Sequence, residues 1–161
     1  MVAYTYRIDA GEPGDVSRKT DSKIETQIID STTPPTQFGD PIKLVSSKVR
    51  PVASGDAATV VYGFLVRPYP SLASTDGLTT STPPTSDICN VMTSGYIYSL
   101  LRNGTAALNG AVYVRVASAL TGRPIGGIEA TADSGNNVAI TGAIFTGAAD
   151  ASGNVEIRYN I

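Results

Sequence analysis

Four turns punctuate the second half of this chain: Asn103-Gly104, Asn109-Gly110, Ser134-Gly135-Asn136 and Ser152-Gly153-Asn154. Each supplies residues that tolerate a positive φ, which tight connections between strands require. Short apolar runs fill the intervals: GYIYSLLRNG, GAVYVRVASAL, IGGIEATADSG and NVAITGAIFTG. Turn signals about ten residues apart are the rhythm of a β-sandwich or barrel. No long segment carries a 3.6-residue period. The nearest helix candidate, residues 87–94, is too short and too β-branched for more than one turn. At the end of the chain Val155, Ile157, Tyr159 and Ile161 alternate with Glu156, Arg158 and Asn160. That is the pattern of a half-buried strand, and it must be held by the fold or by a partner, because untethered ends fray.

The expected fold is therefore all-β, a small antiparallel β-barrel or sandwich. Sixteen Gly and ten Pro among 161 residues agree with a turn-rich β protein. The expected core is Val60, Tyr62, Phe64, Val66, Val112, Val114, Val116, Ile140, Ile144, Val155 and Ile157.

Residues 1–40 have a different texture. They are polar and broken by Gly11, Pro13, Gly14 and Thr33-Pro34-Pro35-Thr36, with one strand-like piece at residues 24–29. This reads as an extended N-terminal arm, followed by a β domain over residues 41–161. That domain opens with two β-rich runs, IKLVSSKVRPV and ATVVYGFLVRPYP, separated by a turn at residues 53–56. Pro41, Pro51 and Pro68 sit at the ends of these runs, where a missing N–H costs a strand least. A long Thr/Pro-rich loop follows at residues 71–87, and its Thr82-Pro83-Pro84-Thr85 run is stiff and extended. A loop of that length inside a compact domain is read as a contact loop.

Chemistry is scarce. The absence of histidine removes Ser-His and Cys-His nucleophile pairs and most zinc sites. Cys89 stands alone among Ile88, Val91 and Met92, which suits a small buried hydrophobe. Asp133-Ser134-Gly135 matches the signature that places the paired carboxylate of aspartic proteases. Here Asn136 and Asn137 follow it, which makes the tripeptide a loop tip built of ordinary turn residues. Replacing Asp133 by Ala is accordingly expected to be near neutral. Tyr96, Tyr98 and Tyr113 could stack a sugar, but aromatic residues two apart on a strand are first of all one packed face. Asn103-Gly104-Thr105 fits a glycosylation sequon and is read as a hairpin turn. No catalytic, metal or cofactor-binding residue is expected, and the chain is read as not an enzyme.

Net charge is −2 with no sustained basic run, which argues against nucleic acid as a partner. MVAYTYRIDAGEPGD lacks the pattern of a signal peptide, and no apolar run approaches membrane-spanning length, so synthesis in a cytoplasm with no membrane partner is expected. Charged residues make up only 16% of the chain, against about 25% in ordinary soluble domains. A surface so poor in charge is suited to contact.

The run GAVYVRVASALTGRPIGGIEATADSGNNVAITGAIFTGAADASGNVEIRYNI resembles a family of tailed-bacteriophage structural cement, or capsid decoration, proteins. The resemblance rests on residues 113–116, 122–130, 133–136, 142–147 and 153–161, with VVYGFLVRPYPS adding to it. It covers residues 40–161. It implies a β-barrel or sandwich bound to the outside of an icosahedral shell, lying across capsomer junctions and resisting the pressure of packaged DNA. The implied partners are the major capsid protein and neighbouring copies, as a dimer or trimer, and the implied location is the virion exterior after assembly in the host cytoplasm. The residues expected to meet partners are Val2, Tyr4, Tyr6, Ile8, Ile24 and Ile28 of the arm, and Leu72, Leu78, Pro83 and Pro84 of the loop. The alternative is a virion-associated adhesion module that binds a receptor or glycan. On the cement reading, truncating residues 1–30 is expected to weaken capsid binding and leave the β domain folded.

Overall fold

In the computed structural model of the chain, residues 11–68 and 82–160 are described. Their nine strands are β1 (Lys23–Ile29), β2 (Pro41–Val45), β3 (Lys48–Pro51), β4 (Gly63–Val66), β5 (Ile88–Asn103), β6 (Ala111–Arg115), β7 (Ile128–Glu129), β8 (Asn137–Phe145) and β9 (Asn154–Asn160). Helical structure among these residues is confined to two 3-10 turns, Lys19–Asp21 and Ala58–Val60. The fold is all-β, as expected.

The strands form one sheet in the order β1-β3-β2-β4-β5-β7-β6-β8-β9, with further pairings β1–β5 and β5–β9. Those two pairings close the sheet on itself twice. One circuit runs β1-β3-β2-β4-β5 and the other β5-β7-β6-β8-β9, and β5 belongs to both. Most pairings are antiparallel, but β1–β3 and β5–β7 are parallel, so the sheet is mixed. β5 can serve both circuits because it is sixteen residues long. Its first half pairs with β1 and β4, and residues 94–100 pair with β9.

Each circuit carries its own core. Ile29, Phe38, Ile42, Val49, Leu65, Cys89 and Val91 form one cluster. Val112, Val114, Val116, Ile128, Phe145, Val155, Ile157 and Tyr159 dominate the other, joined by Phe64, Val66, Met92 and Ile97. Successive residues of β4 and β5 thus feed opposite clusters, as the pleat dictates. β4 is buried at every position. This wall explains why Leu65, Val91 and Met92 belong to the core beside the expected Phe64 and Val66: a strand covered on both faces shows no alternation.

Three expected core positions are only half-buried. The 3-10 turn Ala58–Val60 shifts the phase, so Val61 is buried in place of Val60, and Tyr62 sits at the margin of the smaller cluster. In β8, Gly142 has φ +77° and the pairing with β6 slips by a bulge. Beyond it Ala143 and Phe145 turn inward and Ile144 does not. The run IKLVSSKVRPV proves to be a hairpin, β2–β3, turned by Ser46 and Ser47. Both take positive φ, as a type I′ turn requires.

The segment expected as an arm is stitched along β5 from residue 14 onward. Gly14 and Ser17 donate backbone hydrogen bonds to Tyr98 and Tyr96, and β1 continues antiparallel to β5 from Lys23↔Ser94 to Ile28↔Ile88. At the other end of the chain β9 is paired on both sides, by β5 and by β8.

Candidate contact surface and the buried ion cluster

Arg115 ends β6 with its side chain fully buried, so its charge needs a counterion. Glu129, on the neighbouring strand β7 and equally buried, accepts from Arg115 Nε at 2.7 Å and from Nη2 at 3.3 Å. Arg115 Nη2 also donates to Asp133 at 2.7 Å, and Nη1 donates to the carbonyls of Ala117 and Ser118. Arg123 reaches the same carboxylates, at 2.9 and 3.1 Å from Glu129 and 3.3 Å from Asp133. Asn137 completes the cluster by donating to Glu129 at 2.6 Å and accepting from the Asp133 backbone N–H. Two arginines face two carboxylates, so the group is neutral and pins the loops on either side of β7.

The pKa values follow. Burial alone pushes Glu129 up, but hydrogen bonds from Arg123, Arg115 and Asn137 outweigh it and hold the carboxyl below its ordinary range. Asp133 is also held low, chiefly by hydrogen bonds from Asn136 and Arg115. A carboxylate kept ionised by arginines is the opposite of one sharing a proton with a symmetry mate. Asp133 is thus the counterion of a buried arginine, and the expectation that its replacement is near neutral is corrected on that ground. Among the described residues no group of three or more metal-ligating acids or thiols comes together. Cys89 is buried, which raises its thiol to about 11.

One buried carboxyl is poorly served. Asp40 Oδ1 has no hydrogen-bond partner among the described residues, and neither has Arg102 Nε. Burial pushes Asp40 up to about 7, with the Arg102 charge acting in the other direction.

Of the residues expected to meet partners, Val2, Tyr4, Tyr6, Ile8, Leu72 and Leu78 lie outside the described residues. Ile24, Ile28, Pro83 and Pro84 are described. Alternation along β1 turns Ile24, Thr26 and Ile28 outward, 44% and 55% exposed at the two isoleucines, while Ile29 enters the core. Ile28 stands directly opposite Ile88 of β5, itself 66% exposed. Pro84 borders a depression of about 200 Å³ with Pro68, Ile88, Cys89 and Asn90. Ile24 borders a second, of about 500 Å³, which shares Pro68 and Asn90 with the first. The structure thus gathers Ile24, Ile28 and Pro84 on one continuous surface and buries Pro83. Ile88 was missed, because only the register with β1 shows that it extends the row. Leu108 and Leu120, also exposed, lie in the segments before and after β6 and border neither depression.

A protein-family model described as XM1 gp53 minor capsid protein matches residues 1–159. Among solved structures, a chain of one described as "The capsid of Myoviridae Phage XM1" superposes with a TM-score of 0.65 at 13% identity. The match covers 98% of this chain and 95% of that one, and at such identity the likeness is one of fold. Comparison with curated protein sequences returns no match.

Proposed function

The chain belongs to the XM1 gp53 minor capsid protein family, and from that premise we propose that this capsid structural protein acts as a cement. It binds the outer surface of the icosahedral shell, after assembly in the host cytoplasm, and secures the junctions between capsomers. Its partners are the major capsid protein and neighbouring copies of itself, and its role is contact rather than catalysis.

The observation that carries this reading is the apolar surface around Ile28, Ile88, Pro68 and Pro84. Isolated exposed hydrophobics are ordinary, but a cross-strand isoleucine pair bordering a proline-lined depression is a contiguous patch, and such patches mark interaction sites. The ionisable groups that gather most closely neutralise one another inside the fold, which leaves them no role towards a substrate. Copies repeated over a shell gain from avidity, so each patch need supply only a modest interface.

The test is co-sedimentation of the purified protein with shells that lack it, followed by a heat challenge. Saturable binding at a fixed ratio to the major capsid protein, with heads that survive higher temperature, is the expected result. Ile88→Lys weakens that binding while the equally exposed Leu108→Lys leaves it intact. Absence of binding by the folded wild type overturns the cement role and turns attention to a glycan-binding module.

A further inference from the structure

β1 carries an open edge. One side of it pairs with β5 over its length, but the other pairs with β3 only at Ile28 and Ile29. Among the described residues, Lys23, Ile24, Glu25, Thr26 and Gln27 have no strand on that side. Five residues of free backbone span about 17 Å, enough to seat another strand. The edge is flanked on one face by Ile24, Thr26 and Ile28, and on the other by Lys23, Glu25 and Gln27. It is a template for strand addition that carries an apolar row.

The chain contains a segment of matching character. In residues 2–8 Val2, Tyr4, Tyr6 and Ile8 alternate with Ala3, Thr5 and Arg7. Laid beside β1 with its apolar row next to Ile24 and Ile28, such a strand sets Arg7 on the face that carries Glu25. Apolar meets apolar on one face, and on the other Arg7 joins Glu25 and Lys23, which already pair at 3.1 Å, so the apolar row carries the match.

We propose that the open edge of β1 receives residues 2–8 of a second copy of this chain, so that neighbouring copies are joined by an exchanged strand. The reach of the chain favours a second copy over the chain's own segment. Gly11 is seated against the ring of Tyr98, and Gly14 bonds the Tyr98 carbonyl. Tyr98 lies four residues beyond Ser94, the partner of Lys23, which is about 13 Å along the strand. The three residue steps from Ile8 to Gly11 reach about 10 Å, short of the near end of the edge. Tyr98 also alternates with Ile97, which faces the same cluster as Met92, the partner of Ile24. The chain therefore leaves Gly11 over the face opposite Ile24. A second copy is under neither constraint.

The inference rests on the proposed function only in supposing that copies meet, and its test needs no shell. Sedimentation velocity of the full chain over a range of concentrations is compared with two variants, Ile24→Asp on the edge and Tyr4→Asp/Tyr6→Asp on the segment. Wild type is expected to self-associate, and each variant to do so about tenfold more weakly or worse. Mixing the two variants is expected to recover association, because the intact segment of one fits the intact edge of the other. Circular dichroism checks that both remain folded. A wild type that stays monomeric, or variants that associate as wild type does, overturns the proposal. Hydrogen exchange then tells whether residues 2–8 protect β1 within one chain, which also overturns it. Shell binding by the same variants is scored separately, so a failed exchange leaves the cement role standing.

Discussion

Glu129 accepts hydrogen bonds from two arginines at once, and this makes it the residue on which the β6–β8 region is most dependent. Glu129→Gln leaves Arg115 buried against a neutral amide, and breaking a buried pair on one side costs about 3–5 kcal/mol. Urea unfolding should show that loss. Asp133→Ala should lower the midpoint too, by less, because Glu129 still balances one arginine. The carboxylates also set the pH response. Glu129 and Asp133 are held below their ordinary values, so their stabilisation is present above those values and is lost as pH falls through the depressed ones. Asp40 works in the opposite sense. Its pKa is raised from 3.8 to about 7, so its contribution is complete below 3.8 and is lost as pH rises through about 7. Asp40→Asn should therefore raise the melting temperature at about pH 8 and change it little at about pH 4, which a thermal-shift series would reveal.

Among the elements, β8 depends on one backbone position. Gly142 holds a positive φ, and a Cβ there would collide with the carbonyl oxygen of Asn160 on β9. Gly142→Ala should cost about 1–3 kcal/mol in urea unfolding, with β8 and β9 losing amide protection first. The bulge also marks a limit of sequence reading. Alternation predicts Ile140 and Ile144 on one face, and the slip between them, in which two steps of β6 face five of β8, is invisible to a period-2 count. Ser46-Ser47 escaped notice for a related reason: without Gly or Asn, nothing in the pair announces two positive φ angles. The Asn-Gly and Ser-Gly-Asn turns were legible because their chemistry is local. β9 was legible as well, since it alternates cleanly and is buried at Val155, Ile157 and Tyr159.

For the whole molecule, the all-β class could be read from turn spacing, whereas the double closure on β5 could not. Pairing across many residues of separation leaves no local mark, so the place of residues 23–29 within the sheet was hidden. The same holds for the contact surface. Ile24, Ile28 and Pro84 could be named from the sequence, but Ile88 could be added only by register. The difference matters for truncation. Removing residues 1–30 takes β1 out of the first circuit and bares one side of β5, so that deletion should unfold the chain; removing 1–10 keeps every described strand, and circular dichroism checks that the shorter chain is folded. A change in shell binding by the shorter deletion then reports on contact rather than on folding. β5 has one more consequence. Because β1 and β9 lie antiparallel along successive stretches of it, a pull passed from one circuit to the other meets β5 lengthwise. Its hydrogen bonds are then loaded in shear, many together, instead of being unzipped one after another. A tie bar anchored in that way suits the cement role proposed above.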